Sequence, residues 1–459
     1  MSSTILSIKP EEINTSEKRR NYTISIIGCR QIGVLHAYLF AEAGFRIICV
    51  DADQTRVNSI MKGKLPLLKS EIGLKLKNLA KTGLLGATTD FKSAVSQSDV
   101  IAITTPVEFD KKKKANYLTI ENTCKLVGSK LRRGSLVIVM SIIGVGITQS
   151  LIKEHLENTS GFKAEVDFGL AYSPIQVSKG QSLENLANQE RIVAAADRNS
   201  LNAAANILGT ITRGSIKKIA DVKTAEVIML FEAVQHDVNV ALANEFAVFC
   251  EKAGIDYFEA HKLANSDISH MLSLPTLTFE NIRGEPYLLL EDSENLNLKL
   301  RIPEIAREVN EAIIKHAVNL TKEALINCEK TLRRARVSLL GITRTPNMKS
   351  QLKRTVKELA KMLEAKGAKI SLYDPYFTGD ESTEMQFNVK KNLSEALEGA
   401  DCILILTGHD QFKRLNLKKM KTLMKMPAVI IDFEGIVEPD KVEKEGFIYR
   451  GLGRGVWTK

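Results

Sequence analysis

The run Gly28-Cys29-Arg30-Gln31-Ile32-Gly33 has the residue types and spacing of a dinucleotide-binding turn, with one position changed. In such a turn the first glycine makes the bend, the second lets the backbone approach a pyrophosphate, and the third lets helix and strand pack closely. Gly28 and Gly33 supply the first and third, and Arg30 stands at the second. Asp51 follows about 20 residues on, where an acid bonds the ribose of NAD. Gly28, Arg30, Gln31, Ile32, Gly33 and Asp51 are therefore the candidate cofactor-binding residues, with NAD the candidate cofactor. Arg30 leaves two outcomes open: its bulk keeps the pyrophosphate away, or its guanidinium binds an anion there.

These residues need a strand before the turn and a helix after it, and the pattern supplies both. Tyr22–Gly28 is an apolar, β-rich run, Val34–Gly44 is helical, and Phe45–Val50 is a second strand ending at Asp51. Further strands are expected at Val100–Thr104, Ser135–Met140 and around Asp167–Tyr172. From about Asn199 to Asn327 the pattern predicts helices without strands. Val222–Ala253 is apolar at helical spacing and Gly254 is its expected C-cap. From Arg336 the alternation returns with Val337–Gly341, Ser350–Ala365, Lys369–Tyr373, Cys402–Leu406 and Val429–Asp432. Strands alternating with helices imply parallel βαβ units. The expected fold class is α/β, with two Rossmann-like doubly wound parallel-sheet domains joined by a helical connector carrying a long spine helix. The expected boundaries are a polar leader at 1–21, a dinucleotide-binding domain at 22–198, a helical central and dimerisation domain at 199–327, and a second Rossmann-like domain at 328–459.

Composition narrows the classes. In 459 residues, 44% are hydrophobic and 26% charged, as in soluble globular proteins. The uncharged run Leu136–Ile147 is shorter than the ~20 residues a membrane helix needs. Met1–Tyr22 has no apolar core and does not read as a secretory signal. The six cysteines are scattered without metal spacing, which fits a reducing cytoplasm. The net charge of +10 is spread along the chain, and aromatics are only 6%. No basic, aromatic-interleaved nucleic-acid module is present, so neither nucleic acid nor membrane is an expected partner.

With both sheet regions and the spine in place, the chain resembles the UDP-glucose/GDP-mannose dehydrogenase family from about Tyr22 to Trp457. The segments that carry the resemblance are Val57–Glu71, Thr224–Ile255 with Ala243-Asn244-Glu245, Glu285-Pro286-Tyr287, Tyr373-Asp374-Pro375, Leu406–Phe412, Gly446–Tyr449 and Gly451–Gly455. The resemblance implies NAD-dependent, two-step oxidation of a nucleotide-sugar alcohol through a cysteine adduct. It also implies a second domain that binds the nucleotide sugar, and a homodimer built on the spine helix.

Several family positions are replaced. The catalytic loop, roughly GGxCxPxDPY in the family, places Asn281 at the cysteine when anchored on Pro286 and Tyr287. No cysteine lies between Cys250 and Cys328. Asparagine cannot supply the thiolate that covalent catalysis uses. The family's spine lysine and asparagine fall on Met229 and Ala233. Its PEFLRE segment reads Pro174–Lys179, and the threonine of ESTVPPGT falls on Ile142. In the last domain, the family's ligand-binding lysine and arginine fall on Thr345 and Leu352. Met140, Ile142, Ile175 and Met229 would line a more apolar pocket than a sugar site usually has.

His236 follows Ala233 on the same helix and reads as a ligand contact or as an interface histidine. Lys179 could meet a phosphate, or it is solvated. Glu285 stands at the family's acid position. These three are the candidate substrate-binding residues. Lys111–Lys114 reads as an exposed, flexible loop. The expectation from the coordinated losses is a non-catalytic binding, regulatory or partner subunit in glycan synthesis, cytoplasmic, and dimeric with itself or with an active paralogue. The alternative is an active NAD-dependent oxidoreductase on a UDP-hexose or UDP-N-acetylhexosamine with relocated catalytic groups.

Overall fold

The computed structural model describes residues 4–64, 70–175, 183–266, 272–277, 284–348, 352–377 and 387–457. Lys179 and Asn281 lie outside the described residues. The chain divides into two compact units, Met1–Ala233 with Gly284–Lys299, and Val234–Arg283 with Leu300–Lys459.

The first unit is built on β1 (Thr23–Ile27), β2 (Arg46–Val50), β3 (Leu85–Thr88), β4 (Val100–Ile103), the small hairpin β5 (Glu108–Phe109) and β6 (Ala115–Asn116), β7 (Leu136–Val139), β8 (Gly169–Tyr172), β9 (Arg191–Ala194) and β10 (Ile216–Ile219). The main sheet runs β10-β9-β8-β7-β4-β1-β2-β3. All its pairings are parallel except β8 with β9. Every residue of β4, β7 and β8 is buried. That is why they read as continuous apolar runs, since a sheet covered on both faces has no polar side. The order reverses between β1 and β4, and ligands of open α/β sheets bind at such a switch, beyond the carboxyl ends of the strands.

The second unit holds β11 (Arg336–Leu340), β12 (Lys369–Tyr373), β13 (Asn388–Val389), β14 (Cys402–Ile405), β15 (Val429–Asp432) and β16 (Ile448–Gly451). They pair in parallel in the order β13-β12-β11-β14-β15-β16. Both sheets therefore show the two-Rossmann α/β fold expected from the sequence.

The long helix Val222–Ala253 forms as expected, and Gly254 closes it at φ +73°. Within the second unit, the helix Arg301–Ile326 is tied to it by buried polar groups. Arg307 Nη1 donates to Asp237 Oδ1 at 2.7 Å, and Asn310 Nδ2 donates to the same oxygen at 2.8 Å. Asn244 Nδ2 donates to Asn310 Oδ1 at 3.0 Å.

One local expectation needs correction, and two regions make contacts the sequence did not show. Ile216–Ile219 is a strand inside the region read as purely helical; with Lys217 and Lys218 at its centre, it lacks the apolar run of its neighbours. The polar leader is anchored, because Ile5, Ile8 and Ile13 are buried in the first unit's core and Arg19 Nη1 donates to Ala43 O at 2.9 Å. Lys111–Lys114 is the exposed loop at the tip of the β5–β6 hairpin. Lys113 Nζ sits 5.2 Å from the Tyr287 ring centroid and Lys114 pairs with Glu294. A run of like charge was legible in the sequence, but its acidic and aromatic partners almost 180 residues away were not.

Candidate functional site

β1 delivers the chain into the glycine turn, and both glycines there are required by contact. Gly28 has φ +94°, and a Cβ on it would lie 3.1 Å from Thr105 N. A Cβ on Gly33 would lie 2.4 Å from Gly28 O and 2.8 Å from Thr104 Oγ1, closer than real side chains come. Thr104, just past β4, donates through Oγ1 to Gly28 O at 2.5 Å, which ties the turn to the neighbouring strand.

Arg30 is exposed with φ −75° and ψ −169°, so its extended backbone carries no strain. It is the N-cap of the helix Gln31–Ala43 and makes no side-chain cap bond. Gln31 and Ile32 are half-buried in the first turn. The amides of that turn and the positive end of the helix dipole favour an anion.

Asp51 is buried and fixes the other side. Its Oδ2 accepts from Cys29 N at 2.8 Å and its Oδ1 from Asp53 N at 3.0 Å. Arg56 Nη1 donates to both oxygens, at 2.7 and 2.8 Å. The predicted set Gly28, Arg30, Gln31, Ile32, Gly33 and Asp51 is thus gathered around one turn at the sheet's switch point. Tight glycines, an uncapped helix start and an acid after the second strand are features of a dinucleotide site, so apart from Arg30, which stands at the second glycine's place, these residues fit NAD.

Beneath the turn, His36 Nδ1 donates to Ile32 O at 2.8 Å, and its Nε2 accepts from Arg191 Nη2 at 3.1 Å. Burial and the nearby Arg191 guanidinium push the imidazole down to about 3. Arg191 itself is pushed down to about 10 by burial. No sequence motif marks this pair.

A second constellation, absent from the sequence reading, lies beyond β7. Ser141 Oγ donates to Thr105 O at 2.6 Å, which joins this loop to the β4 end. The loop's amides then turn to acidic and phenolic acceptors. Gly144 N donates to Tyr117 Oη at 3.0 Å, Val145 N to Asp292 Oδ2 at 2.8 Å, and Thr148 N to Glu226 Oε1 at 2.9 Å; Gly146 N donates to Glu226 Oε2. Burial raises the Glu226 carboxyl above the usual range. Burial, and then the neighbouring Glu291, raise Asp292. Tyr117 is likewise pushed up by burial. The signal that could have found this set is the spacing of Glu285 and Asp292, seven residues apart on one helix face.

Glu285 is buried as the first residue of the helix Glu285–Asn295, with Gly284 at φ +112° before it. Met140, Ile175 and Met229 are buried apolar residues. His236 is exposed, although Met229 and Ala233 on the same helix are buried.

In the second unit the acid after the second strand is sealed. Asp374 Oδ2 accepts from Ile342 N and Thr343 N, both at 2.9 Å, and from Thr343 Oγ1 at 2.7 Å. His409 is fully buried, with Nε2 3.1 Å from Asp374 Oδ2, while its Nδ1 accepts from Asn347 N at 2.9 Å. That acceptance places the ring proton on Nε2, facing the carboxylate. Against burial, which raises it, the hydrogen bonds from His409 and Thr343 hold Asp374 below the usual carboxylate range. Lys353, 2% exposed, donates to Leu406 O and lies 4.0 Å from Glu434 Oε1.

Among the described residues, no group of three or more potential ligands could hold a metal ion, and no helix is long and apolar enough to cross a membrane.

Comparison with known proteins adds to this geometry. Residues 22–212 match the NAD binding domain of the UDP-glucose/GDP-mannose dehydrogenase family, 223–312 its central domain and 338–439 its UDP binding domain. The UDP-N-acetyl-D-mannosamine dehydrogenase of Pyrococcus horikoshii is 29% identical over 94% of this chain and 99% of its own length. The Methanocaldococcus jannaschii protein of the same name is 28% identical over 94% of this chain and 96% of its own length. The solved structure of the Pyrococcus horikoshii UDP-D-ManNAc dehydrogenase superposes with a TM-score of 0.85, covering 95% of this chain and 100% of that one. These similarities overturn the expectation of a non-catalytic subunit. Relatives matching end to end are named as dehydrogenases, so they favour the active alternative. That expectation rested on a few motif positions, whereas the similarity to proteins named as dehydrogenases spans 94% of the chain.

Proposed function

The chain belongs to the UDP-glucose/GDP-mannose dehydrogenase family, and from that premise we propose that it is an active NAD-dependent oxidoreductase acting on a UDP-N-acetylhexosamine with relocated catalytic groups. The observation that carries this reading is the 29% identity, over 94% of the chain, to a protein named UDP-N-acetyl-D-mannosamine dehydrogenase. Bound NAD supplies a hydride acceptor. Gly28 and Gly33 let the dinucleotide close on the turn, Gln31 and Ile32 present the helix start, Arg30 adds a cation, and Asp51 meets a ribose hydroxyl.

The finer part of the reading is that oxidation here runs without a cysteine adduct. All six cysteines are buried. Burial raises the thiols of Cys29, Cys250, Cys328 and Cys402, and pushes Cys124 up to about 12. Such thiols are not thiolates near neutral pH, so none of these five replaces the missing nucleophile. Hydride transfer from an alcohol needs a base rather than a thiolate, and carboxylates are at hand. Glu285 serves the sugar side. A second copy of the chain is the proposed partner, met by the exposed stripe Leu242, Phe246 and Phe249 along the long helix.

The test is absorbance at the nicotinamide band with purified protein, NAD and UDP-N-acetylmannosamine or UDP-glucose. Reduction with the N-acetylated sugar is expected, and the stoichiometry counts the steps: one NADH per sugar marks an aldehyde product, two an acid. No reduction with any UDP-N-acetylhexosamine, in protein shown by calorimetry to bind NAD, overturns the reading.

A further inference from the structure

We propose that Asp292 is the general base of this chain, the group that takes the proton from the sugar alcohol as that alcohol is oxidised. The proposal rests on the oxidoreductase reading above and names the relocated catalytic group within it.

Placement comes first. β7 pairs in parallel with β4, and β4 with β1, so the residues after β7 emerge at the same carboxyl edge as the glycine turn. Thr104 bonds to Gly28 and Ser141 to Thr105, so a chain of hydrogen bonds runs from the cofactor turn to the loop Ser141–Thr148. Asp292 sits on that loop through Val145 N.

Availability separates Asp292 from its neighbours. Glu226 is fully buried and spends both oxygens on the amides of Gly146 and Thr148. Glu291 Oε2 accepts from Ala115 N at 2.8 Å. Asp292 is half-buried and anchored through Oδ2 alone; its Oδ1 takes no hydrogen bond from the described residues. One oxygen fixed and one open is the form of a positioned base, and burial and Glu291 raise the carboxyl against the lowering bond from Val145, which makes it a stronger proton acceptor than a solvated aspartate.

Two further features point the same way. A Cβ at Gly144 would lie 2.9 Å from Tyr117 Oη and 3.1 Å from Asp292 Oδ1, so the bare glycine leaves room for the phenol and the carboxylate to approach this loop. Tyr172 Oη, at the end of β8, is buried with the Ile143 amide, Glu226 and Tyr117 as its neighbours, so polar groups gather on this side of the loop.

The step balances. The carbinol C–H leaves with its electron pair to the nicotinamide ring, the O–H proton goes to Asp292 Oδ1, and the C–O bond becomes a carbonyl. The carboxyl then returns its proton to water.

Asp292→Asn tests this, because the amide oxygen still accepts from Val145 N while the base is lost. The expected result is a kcat for NAD reduction lowered roughly 100-fold or more. Calorimetric affinity for UDP-N-acetylmannosamine without cofactor and the thermal midpoint should stay at wild-type values. Asp292→Ala should regain part of its rate when formate is added, since a small carboxylate can occupy the vacated place. A wild type that reduces NAD beside an Asp292→Asn variant within threefold of its kcat overturns the base and leaves the oxidoreductase reading standing. Affinity lost in proportion to rate makes Asp292 a binding group and also overturns the base. A wild type inert toward every UDP-N-acetylhexosamine overturns both.

Discussion

At the end of the second strand of each sheet stands an aspartate, Asp51 after β2 and Asp374 after β12, and each accepts the backbone amide that follows the first strand. The resemblance stops there. After β1 the helix begins at Gln31, so the amides of its first turn stand at the crevice. After β11 the next helix among the described residues begins at Arg354. Asp51 is completed by Arg56, whose side chain is 31% exposed, whereas Asp374 is completed by His409, which is wholly buried. One arrangement is open to an exchangeable ligand; the other is a closed knot that shapes its own loop. The same topological position therefore does not imply the same job. What decides it is whether the acid's last partner is solvated or sealed.

The contrast can be broken experimentally. Asp374→Ala should be the most damaging change, because it strands buried donors from Thr343 and His409; a loss of about 3–5 kcal/mol is expected by urea unfolding. Its depressed carboxyl contributes stability that is present at neutral pH and is lost as pH falls through the carboxylate range. Gly33→Ala should cost roughly 1–3 kcal/mol through overpacking against Gly28 O and should abolish NAD binding by calorimetry.

Acid should strike the first sheet through His36. Its folded value of about 3 lies below the ordinary 6.5, so the unfolded chain binds the proton first. The stability this contributes is complete above 6.5 and declines as pH falls toward 3, by about 2 kcal/mol between pH 7 and 5. His36→Gln, whose amide oxygen can still accept from Arg191, should flatten that slope in thermal melts at the two pH values. Arg56→Ala should be the mildest, shifting stability by about 1 kcal/mol or less. Its main effect should be a changed NAD affinity; a changed thermal midpoint with unchanged affinity would make Asp51–Arg56 as structural as Asp374–His409.

The sequence by itself determined the fold class, the glycine turn with Asp51, the long helix with its Gly254 stop, and the family. Each of these is written in local periodicity or in a few residues at fixed spacing, and local pattern is what a single chain displays. It also displayed that no cysteine lies between Cys250 and Cys328, but not what that means for the chemistry, since an absent residue type says nothing about which groups stand at the site. Tertiary structure alone decided that Tyr117, Glu226 and Asp292, from three separate stretches of the chain, meet on the loop after β7, and that Arg191 reaches His36. Those partners are 27 to 155 residues apart in the chain, and only the closed sheet, by fixing which strand ends lie side by side, brings their side chains within hydrogen-bonding reach.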